Sequence, residues 1–167
     1  MHPVPPSPYD PATAPTDIVQ QLLEAHNKER TQRGYKPLTL NPKLQASAQA
    51  HADFMAKVGH MAHFGIGDGT PWSRIQAAGY AYSSAAENVA WNQQTVVDVM
   101  STWMGSPGHR WNILSGNTEC GLAVRDLYWC AVFGTPQAAG VMMAAPDMDT
   151  ATVTRSRSGM ASSISTP

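Results

Sequence analysis

Three times this chain sets a hydrogen-bonding residue directly before a proline at the head of a helix-forming run: Asn41–Pro42, Thr70–Pro71 and Ser106–Pro107. The first residue of each pair suits an N-cap, because its side-chain oxygen can accept from an otherwise unpaired N–H of the opening turn. Proline suits the next position, where its missing N–H would have had no partner. Three helix starts are thereby set by local chemistry. Gly59 closes the first of these runs, and Thr95 opens a fourth that ends at Gly105. A further helix is expected from about Asp17 to Arg33, with Asp17 as cap, Gln20 three residues on and Gly34 at its end.

Apolar spacing says which faces are buried. Ile18, Val19, Leu22, Leu23 and His26 form one stripe, while Leu44, Ala48, Ala52 and Met55 recur every three or four residues on another. Trp111, Ile113 and Leu114 read as core behind Pro107. "AENVAW", residues 86–91, reads as a strand with Asn88 and Ala90 facing away from Val89 and Trp91. "CGLAVRDLYWC", residues 120–130, reads as a hairpin centred on Arg125–Asp126. A three-residue loop would set Cys120 opposite Cys130, giving either a disulfide, which suits an exported protein, or two free core thiols. Helices kept apart from a few antiparallel strands imply an α+β sandwich. The expected division is a proline-rich arm over 1–15, one domain over 16–135 and a mobile Ser/Thr/Met-rich tail over 136–167.

The net charge of −1 gives no electrostatic case for nucleic acid, and no basic–aromatic patch is present. No run approaches the roughly 18 to 20 apolar residues that span a bilayer. The amino end has no apolar signal-peptide core, so an extracellular location implies a leader already removed.

Several polar residues stand where chemistry is expected. His109 falls near the third position of the helix begun by Pro107, among free N–H groups and the positive end of the helix dipole. That setting favours a neutral ring, the form that ligates metal. His60 and His63 lie three apart just beyond Gly59, while His26 and His51 sit on helical stripes and read as core or groove histidines. Glu87 enters an apolar strand and needs a partner, either Arg30, Arg74 or Arg110, or an imidazole that it orients. "GIGDGTPW" misses the phosphate-loop spacing and reads as a turn, with Asp68 within reach of the same region. The motifs G-x-S-x-G, H-E-x-x-H and paired C-x-x-C are all missing.

Taken in order, "LLEAHNKER", "PLTLNPKLQASAQAHADFMA", "HMAHFG", "DGTPWSRIQAAGY", "AENVAWN", "WMGSPGHRWNIL" and "CGLAV…YWCAVFG" resemble the CAP superfamily, or SCP domain. That group holds the cysteine-rich secretory, antigen 5 and pathogenesis-related 1 proteins together with short bacterial members. The resemblance runs from about Ile18 to Gly134 and implies an α-β-α sandwich with a central cleft. Carried over by motif, the cleft residues are His63, Glu87 and His109, which would hold zinc or another divalent cation. The second glutamate of longer members has no counterpart, since Met104 and Gly105 stand near the end of that helix. The resemblance implies an extracellular binding module whose cleft takes a metal and, in some relatives, a lipid or other small ligand. Two alternatives stand beside it: a zinc-dependent hydrolase with Glu87 as base, and an interaction domain whose cleft is vestigial.

Overall fold

In the computed structural model, which describes residues 14–138, 152–154 and 161–165, the proline-marked helices begin where their caps place them. Helix α1 spans Ala14–Thr31, α2 Pro42–Val58, α3 Pro71–Ala77, α4 Val96–Met104 and α5 Pro107–Ile113. Asn41 accepts from the N–H groups of Lys43 and Leu44, Thr70 shares a reciprocal capping box with Ser73, and Thr95 accepts from Asp98. Gly59 ends α2 at φ +66, a left-handed conformation that glycine adopts without a Cβ penalty. Two expectations shift. Helix α1 starts at Ala14 rather than Asp17, because Pro15 is tolerated in a first turn. Ser106 keeps the extended backbone of an N-cap, yet its hydroxyl makes no capping bond.

The strands are β1 Thr39–Leu40, β2 Tyr82–Trp91, β3 Glu119–Arg125, β4 Tyr128–Pro136, β5 Thr152–Thr154 and β6 Ala161–Ser165. They form one sheet in the order β1-β3-β4-β2-β6-β5. The sheet is mixed, since β1 runs parallel to β3 while the other pairs are antiparallel. Within the expected tail over 136–167, Thr152–Thr154 and Ala161–Ser165 are strands of the sheet, with Glu87 of β2 opposite Ile164 of β6. The expected arm over 1–15 lies outside the described residues except for Ala14 and Pro15, which open α1.

Helices cover both faces of this sheet. Leu22 of α1, Val99, Met100 and Trp103 of α4 and Ile113 of α5 pack on Ala86, Ala90, Cys120, Leu122, Trp129, Ala131 and Phe133. On the other side, Leu44, Ala48, Ala52 and Met55 of α2 and Ile75 of α3 pack on Ala85, Val89, Cys130 and Val132. From Ala85 along β2, and along β4, successive side chains go to opposite faces, as a sheet buried on both faces requires. Each fully buried Leu or Phe stabilises the fold by about 1.5–3 kcal/mol relative to exposure. Helix α2 sits so close to β3 that a Cβ at Gly121 would run into the Leu44 carbonyl. Arg30, almost fully buried, ties α1 to the segment after α5 by donating to the carbonyls of Ile113, Ser115 and Asn117.

The hairpin corrects the disulfide expectation. Asp126 and Leu127, at φ +48 and +65, make a two-residue turn, the kind whose twist matches antiparallel strands. Cys120 therefore pairs with Phe133 and Cys130 with Ala123, so the two thiols point to opposite faces of the sheet. Both are free and buried. Trp111 also departs from expectation: Ile113 is buried, but Trp111 is 73% exposed.

Candidate functional site

The α2 and α3 face of β2 holds a buried group of charges centred on Glu87, which is 1% exposed. Helix α3, started by its Thr70–Pro71 cap, carries Arg74. One guanidinium nitrogen, Nη2, donates to Glu87 Oε2 at 2.9 Å and to the His63 carbonyl at 2.9 Å. The other, Nη1, reaches Asp68 Oδ1 at 3.4 Å and the Gly69 carbonyl at 3.2 Å. Of the three arginines weighed from the sequence, Arg74 is thus the partner of Glu87.

The loop from Gly59 to Thr70 brings two more side chains. His63 Nδ1 donates to Glu87 Oε1 at 2.8 Å. Asp68 Oδ2 lies 2.6 Å from His51 Nδ1, and His51 Nε2 donates to the Ala62 carbonyl at 2.7 Å. His51 thereby fastens both ends of the loop to α2, and its Nε2 is also 3.8 Å from Glu87 Oε1. The Cys130 thiol approaches Glu87 Oε2 at 3.9 Å from β4.

Burial alone would raise the Glu87 carboxyl. Arg74, the electrostatic attraction of His51 and the hydrogen bond from His63 outweigh it and hold Glu87 down at about 2. The same burial, with the Glu87 charge beside it, pushes the Cys130 thiol well above its ordinary range.

His63 and Glu87, two of the three residues expected in the cleft, are therefore in direct contact. His109 lies on α5, whose Ile113 packs on the opposite face of the sheet. The residue is fully buried, and its carbonyl accepts from Asn88 Nδ2 at 3.1 Å. Asn88 Oδ1 in turn accepts from Asn112 Nδ2 at 2.9 Å, and Asn112 also reaches the Glu87 carbonyl at 3.4 Å. Helix α5 is thus pinned to β2 through two asparagines. His26 is a core residue beneath Trp103 and Phe133, and His60 is exposed.

The donor set discriminates between metal geometries. Both oxygens of Glu87 are engaged, one by His63 and one by Arg74, so it serves as an orienting carboxylate. His63 Nε2 is buried and has no hydrogen-bond partner among the described residues. These residues fit a histidine ligand at His63 backed by Glu87, and do not fit a three-ligand set that includes Glu87. Among the described residues, no group of three or more His, Cys, Asp or Glu side chains is arranged to hold a metal ion.

The sequence reading missed His51 and Cys130 as parts of this network, along with the Asn88–Asn112 pair. His51 had a usable signal, being a polar residue at a buried stripe position. The asparagines had only the alternation of β2. A separate groove of about 560 Å³ beside α5 is lined by Tyr35, Met104, Pro107, Arg110 and Trp111 and contains none of the expected site residues.

Comparison with known proteins agrees with the fold. The family described as "CAP: Cysteine-rich secretory protein family" matches residues 23–127. "Uncharacterized protein YkwD" of Bacillus subtilis is 36% identical over 98 residues, covering 59% of this chain and 38% of the relative. "Secreted protein RBT4" of Candida albicans is 31% identical over 115 residues, covering 66% of this chain and 31% of the relative. The chain thus spans about a third of the length of these relatives. Among solved structures, an extracellular protein containing an SCP domain from Bacillus anthracis aligns with a TM-score of 0.73 at 24% identity, covering 79% of this chain and 45% of that one. Among the described residues, no helix is long and apolar enough to cross a membrane.

Proposed function

The chain belongs to the CAP, or cysteine-rich secretory protein, family, and on that premise we propose that it acts outside the cell as a binding module whose small ligand is a divalent cation such as zinc. The observation that carries this reading is the state of His63. Its Nδ1–H is spent on Glu87, which fixes the tautomer and aims a buried Nε2 that has no partner among the described residues. Carboxylate-backed imidazole of this kind is the usual support for a metal-binding histidine. The family resemblance supplies His109, on α5, as the second ligand, and Glu87 stays behind His63 rather than on the ion. Bound there, the cation supplies a fixed positive charge and a Lewis-acidic position. The extracellular location draws support from relatives named as secreted or extracellular.

A hydrolase has less behind it. Its general base would be Glu87, but a base works best when its pKa lies near the working pH, and Glu87 is held at about 2 and ion-paired. A lipid ligand, also expected from the resemblance, has no comparable observation in its favour.

Zinc titration by calorimetry tests the proposal. The wild-type chain is expected to take up zinc stoichiometrically, and the His63→Ala/His109→Ala variant to lose that uptake while keeping its circular dichroism. Unchanged uptake in the double variant refutes the assignment.

A further inference from the structure

Helix α5 buries one side only. His109, Asn112 and Ile113, spaced three and four apart, take that side and are almost fully buried. Arg110 and Trp111 fall on the other, where Trp111 stays 73% exposed. The indole is not an isolated surface residue. It lines the groove of about 560 Å³ beside α5 together with Tyr35, Met104 and Leu114, a volume within the roughly 300–1,000 Å³ of small-molecule sites. Aromatic rings left in water around a concavity mark a contact surface.

Two properties of this groove choose its ligand. The first is charge. Arg110 is exposed and makes no ion pair or side-chain hydrogen bond among the described residues. The Arg30 guanidinium lies against the Tyr35 ring, 5.7 Å from its centre, and bonds to backbone carbonyls. No carboxylate stands among the described lining residues to answer these two positive charges. A ligand with an anionic group is therefore complementary, and a guanidinium at its edge suits a carboxylate.

The second property is openness. Tyr35, Pro107, Arg110 and Trp111 are exposed and Met104 and Leu114 only half-buried, so the groove is a shelf that water reaches. An alkyl chain laid on it keeps one side wet and forfeits much of the gain from burial. A sugar ring makes the opposite demand. Its C–H face is apolar and stacks on the electron-rich face of an indole, while its hydroxyl rim stays hydrated.

We propose that the groove beside α5 is a binding site for acidic saccharides, with a sugar ring stacked on Trp111 and its carboxylate held by Arg110. The inference is independent of the metal reading, because no cation and neither His63 nor Glu87 takes part.

The test uses the full-length chain in EDTA, so that the two ideas succeed or fail separately. The probe is trigalacturonate, and the control is its methyl ester, which keeps the rings and loses the charge. Binding is read from the Trp111 indole N–H signal in a nitrogen–proton correlation spectrum, identified by its loss in Trp111→Ala, and affinity by calorimetry. Wild type is expected to bind the probe saturably, with that signal shifted, and more weakly as salt rises. Trp111→Ala should weaken binding roughly tenfold, and Arg110→Gln should bring the probe down to the affinity of the ester. Both positions are exposed, so both variants should keep the circular dichroism of wild type. No saturable binding, equal affinity of probe and ester, or full affinity in Trp111→Ala overturns the proposal. Triglutamate or palmitate shifting the indole signal as strongly as the probe overturns it in favour of a peptide or a lipid. A dimer in sedimentation that Trp111→Ala abolishes overturns it by assigning the groove to a second copy.

Discussion

His26 and Glu87 are both sealed from solvent on opposite faces of one sheet, and their ionisation goes opposite ways. His26 lies under Trp103 and Phe133, with Nδ1 donating to the Leu22 carbonyl at 2.7 Å. Burial there lowers its pKa to about 4, the Leu22 bond resists, and Arg30 adds to the lowering. Glu87 is as deeply buried, but Arg74 and two histidines answer the desolvation and keep it charged. The thiols follow the same two faces. Burial raises Cys120 to about 12 on the His26 side, and burial together with the Glu87 charge raises Cys130 well above its ordinary range. An interior excludes charge only where it supplies no counter-charge.

The largest expected effect comes from breaking the charged side. Arg74→Met leaves Glu87 buried without its cation and is expected to cost about 3–5 kcal/mol in urea unfolding. Arg74→Met/Glu87→Gln should recover part of that loss. If the single variant costs under about 1 kcal/mol, the network does not compensate Glu87 in the way described.

Acid titration separates the two faces along the pH axis. The His26 ring is neutral when folded and protonates near 6.5 when unfolded, so the unfolded state binds the extra proton between 6.5 and 4. Stability should fall by about 3 kcal/mol as pH drops through that window. Glu87 protonates near 4.5 unfolded and about 2 folded, so its contribution is lost only below 4.5. His26→Leu should flatten the upper stage and leave the lower one. A curve unchanged by His26→Leu would place the acid sensitivity elsewhere.

The smallest expected effect is none. With the two thiols on opposite faces, reductant should not move the melting temperature, and blocking under denaturing conditions should tag both cysteines without prior reduction. A reductant-sensitive melt would restore the disulfide.

Much of the scaffold was legible in advance because it rests on short-range chemistry. Asn41, Thr70 and Thr95 cap their helices through bonds to residues two or three positions away, so local sequence suffices. The alternation of Asn88 and Ala90 against Val89 follows from strand geometry alone. The hairpin failed at one detail. Leu127 takes a left-handed conformation that nothing in its side chain announces, and a two-residue turn then moved both cysteines to other partners. Glu87 could be seen to need a partner, but choosing Arg74 over Arg30 and Arg110 required the positions of three helices. Arg30 turned out to be spent on backbone carbonyls, one six residues away and three 83 or more residues away.

The sequence by itself determined where the helices start, which stripes are buried, the α+β class and the family, because capping, periodicity and ordered motifs operate over short distances. Only the tertiary structure decided that Glu87 orients His63, that His51 and Asp68 brace the loop, and that a segment past residue 160 closes the edge of β2. Those outcomes depend on which distant groups share a buried volume. Desolvation and counter-charge are set there, and neither is written in any local stretch of chain.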